Sequence, residues 1–83
     1  MTVHVVLSMG ASFEHTGGEK EFDIEAKDVR AIIKAMEERF PGLGEFLEEE
    51  TMCAIDGEIF ESAIYERLRD GCEVYFLPKL EAG

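Results

Sequence analysis

Val3, Val5 and Leu7 alternate with His4, Val6 and Ser8, the two-residue period of a strand with one face buried. Residues 10–20 carry Gly10, Gly17 and Gly18 among polar side chains, which predicts a connection longer than a two-residue hairpin loop. Glu21 to Glu25 alternates again with Phe22 and Ile24 on one side, so two antiparallel strands are expected. From Asp28 the period lengthens: Val29, Ile32, Ile33, Met36 and Phe40 recur at steps of three and four, while Arg30, Lys34, Glu37 and Glu38 fill the opposite side. That is an amphipathic helix. Asp28 is its predicted N-cap, because a carboxylate there accepts a hydrogen bond from a first-turn amide that has no helical partner. Pro41-Gly42 ends it, since proline disfavours the helical conformation in the residue before it.

Leu43, Phe46 and Leu47 predict one further turn or short helix whose solvated end is Glu48-Glu49-Glu50. Met52-Cys53-Ala54-Ile55 reads as a strand, Asp56-Gly57 as a turn and Ile59-Phe60 as a brief return. Ile64, Tyr65 and Leu68 fall in a helical turn or loop. Asp70-Gly71 starts a last strand with Val74 and Phe76 on one side and Tyr75 and Leu77 on the other. Apolar residues on both sides are the mark of a strand in the middle of a sheet. Val74 and Phe76 read either as core or as part of a docking patch.

Composition narrows the function. Eighty-three residues make one small domain, with no apolar run near the roughly 20 residues of a membrane helix and no signal-peptide pattern; a cytoplasmic location is expected. Nineteen acidic against eight basic residues leave a net charge of −11, which repels a nucleic-acid backbone. The acidity either serves solubility or favours a partner with a basic docking surface. Cys53 and Cys72 lie nineteen positions apart with no second close-spaced pair, neither a zinc signature nor a disulfide framework; they read as buried free thiols, with a redox or sulfur-relay role as the alternative. His4 and His15 have no nucleophile at a recognisable spacing, so an independent enzyme is not expected. Glu45, Glu48, Glu49 and Glu50 lack the ligand alternation of a calcium loop, and no metal site is predicted.

The order β-β-α-β-β, with one main helix across a mixed sheet of four to five strands, is an α+β, β-grasp (ubiquitin-like) pattern. Gly17-Gly18, Val29, Phe40-Pro41-Gly42-Leu43, Asp56-Gly57 and Asp70-Gly71 through Pro78 follow one another as the landmarks do in the MoaD/ThiS family of ubiquitin-like sulfur carriers. The chain resembles that family over nearly its whole length. The resemblance implies a β-grasp domain at 1–78 and a flexible tail at 79–83. It also implies a C-terminal glycine, here Gly83, whose carboxylate is adenylated with ATP by a separate E1-like enzyme and then converted with a sulfur donor into a thiocarboxylate. No cofactor would be bound by the carrier itself. Sulfur would pass to an acceptor enzyme, with molybdopterin biosynthesis, and a molybdopterin synthase large subunit, favoured by chain length.

Pro78, Lys79, Leu80, Glu81 and Ala82 then become the tail and partner-docking residues, spanning at most roughly 20 Å when extended. The family ends in Gly-Gly, whereas this chain ends in Ala82-Gly83. The alanine methyl would cost about 1–2 kcal/mol where a left-handed conformation is required, and little in an extended one. A second reading therefore stands beside the first: a β-grasp interaction module that retains the fold and partner surface but has lost the acyl chemistry.

Overall fold

The computed structural model describes residues 2–8, 16–60 and 66–78. These form β1 (Thr2–Leu7), β2 (Glu21–Glu25), α1 (Val29–Arg39), α2 (Leu43–Glu50), β3 (Thr51–Ile55), β4 (Glu58–Phe60) and β5 (Glu73–Pro78). The strands make one mixed sheet in the order β2-β1-β5-β3-β4. β5 lies in the middle, parallel to β1 and antiparallel to β3, as its two apolar sides predict. The sheet has five strands, the upper end of the expected range.

The alternating positions of the strands sort into two faces. Val3, Val5, Leu7, Phe22, Ile24, Cys53, Val74 and Phe76 point inward and join Val29, Ile32 and Met36 of α1 and Leu43 and Leu47 of α2 in one core. Val74 and Phe76 are fully buried there, so they are core and not a docking patch. Leu68 is also buried, and its N–H donates to the Lys27 carbonyl at 2.9 Å, tying the 66–69 segment to the start of α1. Ile64 and Tyr65 lie outside the described residues. Cys72 sits one position ahead of β5 rather than within it.

Both helix starts are capped, by different means. At α1 the Asp28 Oδ1 accepts from the Ala31 N–H at 2.8 Å, as the sequence predicts. At α2 the N-cap is Gly42, which has no side chain to offer. The Glu37 carboxylate of α1 takes over, accepting from the Gly42 N–H at 2.9 Å and the Gly44 N–H at 3.0 Å. This brings the two helices so close that a Cβ on Gly44 would lie 2.8 Å from the Glu37 Cβ and 3.2 Å from the Ile33 carbonyl. The turn between β3 and β4 places Asp56 at φ 49° and Gly57 at φ 87°, the pair of positive angles that a two-residue hairpin loop needs.

Candidate functional site

The predicted working end of the molecule begins where β5 leaves the sheet. β5 is held on both sides: His4 to Leu7 pair with Glu73 to Phe76, and Thr51 to Ile55 with Pro78 to Val74. The Ser8 N–H donates to the Phe76 carbonyl at 3.1 Å, extending the ladder past the end of β1. Pro78 is exposed and closes the strand, its ring lacking the N–H that a further antiparallel rung would use. Lys79, Leu80, Glu81, Ala82 and Gly83 lie outside the described residues.

The face of the sheet turned away from the helices is the second part of the site. The strand register places Glu21, Val6, Tyr75, Ala54 and Ile59 in one row across all five strands. Val6, Tyr75 and Ala54 in that row are half-buried, and Ile59 is 59% exposed. Leu77 and Met52 form the next row toward the end of β5, and Asp23, His4 and Glu73 the row toward its start. An apolar strip thus runs toward Pro78 and is edged by carboxylates. Val6, Tyr75 and Leu77 are the surface residues the sequence reading did not single out; their opposite parity to Val74 and Phe76 was the available signal.

His4 is the most engaged side chain of the open face. Its Nδ1 lies 3.1 Å from Asp23 Oδ1 and its Nε2 3.0 Å from Glu21 Oε1. Asp23 first, then Glu21, raise the imidazole above its ordinary pKa. Nearby, the Thr2 hydroxyl donates to Glu25 at 2.7 Å and lowers that carboxyl's pKa. The cysteines offer little chemistry: burial pushes the Cys53 thiol up to about 11, which leaves it protonated at neutral pH and a poor nucleophile. Cys72 is equally buried. Among the described residues no three histidine, cysteine or acidic side chains converge to hold a metal ion, and no helix is long and apolar enough to cross a membrane.

A five-stranded mixed sheet with helices across one face and the last strand at its centre is the β-grasp fold of the ubiquitin-like carriers. The chain belongs to the ThiS family, whose profile matches residues 6–80. Solved structures agree. A chain in the Amycolatopsis orientalis BexX/CysO complex is 27% identical, with a TM-score of 0.80, the match covering 98% of this chain and 99% of that one. CysO of Mycobacterium tuberculosis, described as an antigen, is 21% identical over 94% of this chain and 99% of its own, with a TM-score of 0.79. A chain in the complex of subunits 1 and 2 of the Helicobacter pylori molybdopterin-converting factor is 24% identical over the full length of both chains, with a TM-score of 0.69. No curated protein matches the sequence significantly. The structural neighbours are thus MoaD/ThiS-like sulfur carriers.

Proposed function

We propose that this chain is a sulfur carrier that works through the α-carboxylate of Gly83. A carboxylate oxygen attacks the α-phosphorus of ATP in the active site of an E1-like adenylating enzyme, pyrophosphate leaves, and the carbonyl becomes a mixed anhydride with AMP. A sulfur donor then displaces AMP and leaves a thiocarboxylate. ATP and the donor are used through the partner; the chain contributes the acyl group and the body that docks. Family membership over residues 6–80 carries this reading. The seating of β5 between two strands, with exposed Pro78 at its end, supports it by giving residues 79–83 a firm base.

The acceptor to test first is the large subunit of a molybdopterin synthase, because a structurally similar Helicobacter pylori chain belongs to a complex of subunits 1 and 2 of a molybdopterin-converting factor. A BexX-type protein is the second acceptor to test, given the higher TM-score of the Amycolatopsis complex. The setting is cytoplasmic. Incubation with ATP, a sulfur donor and the adenylating enzyme is expected to replace one oxygen by sulfur at the C-terminus, read by intact mass; deletion of Gly83 abolishes the change without unfolding the domain. Ala82 favours the interaction-module reading. If the wild type stays unmodified while Ala82→Gly is adenylated, the module reading replaces the carrier.

A further inference from the structure

Two contacts made by one imidazole set up a device on the open face. Both ring nitrogens of His4 face carboxylate oxygens, Asp23 at 3.1 Å and Glu21 at 3.0 Å. A neutral imidazole has one N–H and one lone pair, so it can satisfy only one of these oxygens; the imidazolium donates to both. On the other side, Glu73 of β5 is the register partner of His4. The remaining charged groups along this edge are engaged elsewhere: Glu25 accepts from the Thr2 hydroxyl and Asp70 from the Thr2 N–H. Among the described residues no lysine or arginine pairs with Glu21, Asp23 or Glu73, although Lys20 is the next residue in sequence. The cluster therefore carries three formal negative charges with His4 neutral and two with it protonated. It borders Val6 and Tyr75, the centre of the apolar strip.

We propose that His4 gates docking on this face by pH, against a partner surface that is apolar at its centre and basic at its rim. Protonated His4 holds the Glu21 and Asp23 carboxylates on its own ring and withholds them from the partner. Proton loss leaves the ring one N–H, so it releases one of the two carboxylates and adds one net negative charge to the rim, and docking strengthens as pH rises. The identity of the partner, though not the device, rests on the carrier reading. One unit charge released to a basic contact at about 4 Å in water corresponds to about fivefold in affinity, and the effect fades as salt is raised.

The test uses the full chain, with the purified E1-like adenylating enzyme of the same source as probe. Binding is measured at low ionic strength from about pH 6 to about pH 8.5, the range in which a histidine changes charge. Affinity is expected to rise about fivefold, with a midpoint equal to that of the His4 ring in an NMR titration and above the ordinary histidine value. His4→Gln makes binding independent of pH, and Glu21→Gln with Asp23→Asn lowers the ring's midpoint. A ring midpoint at or below the ordinary value, an unchanged pH profile in His4→Gln, or no binding at any pH overturns the proposal. The carrier reading is judged separately by intact mass: pH-gated binding without adenylate sinks the carrier and leaves the gate standing, and adenylation with flat binding does the reverse.

Discussion

The two faces of β5 are made of similar residues and do opposite work. Val74 and Phe76 point toward the helices and are sealed; Tyr75 and Leu77, one position along, are half-buried on the face turned away from α1 and α2. The difference arises from what lies across from each. Inward, the 3.6-residue stripe of α1 and the Leu43 and Leu47 pair of α2 meet the sheet; outward, among the described residues, the register sets half-buried Val6 and Ala54, buried Met52 and a margin of carboxylates beside them. Hydrophobicity alone does not separate core from contact surface. A covering layer does.

Substitutions sharpen this contrast. Phe76→Ala empties a fully buried ring position and is expected to cost about 3–5 kcal/mol, enough to unfold a marginal domain of this size in thermal denaturation. Tyr75→Ala beside it should cost less than half as much while weakening partner binding; equal losses from the two would mean that the open face is covered. Next in size, Gly44→Ala drives a methyl into the Glu37 Cβ and the Ile33 carbonyl and is expected to cost about 1–3 kcal/mol of overpacking, read as a lower denaturant midpoint at unchanged slope. The smallest effect belongs to His4. Its folded pKa is raised above the ordinary histidine value by Asp23 and Glu21, so its contribution is fully present below that value and is lost as pH rises through the folded pKa. The thermal midpoint of the wild type relative to His4→Gln should therefore fall on going from acid to alkaline pH; a constant difference would show that the two contacts add no linked stability.

How far the fold could be read in advance varied along the chain. β1, β2 and α1 were legible because each buries one side only, which leaves a clean period of two or three to four. α2 was visible only as a turn or short helix: its cap comes from Glu37 of the preceding helix, and nothing local in Gly42-Leu43-Gly44 announces it. β5 was legible as a central strand, yet two apolar sides could not say which would be covered, because that depends on where α1 lands. The His4 cluster was out of reach altogether. It exists only once the register sets His4 opposite both Asp23 and Glu73.

The central seating of β5 has a mechanical meaning. Whatever pulls on the chain beyond Pro78 loads two ladders at once, one parallel and one antiparallel, with force directed along the strands. Hydrogen bonds stressed in that direction share the load and must fail together, whereas a strand peeled from a sheet edge yields one rung at a time. A partner that grips the end of this chain would therefore draw the whole body against its own surface as a stopper before it unravelled the domain.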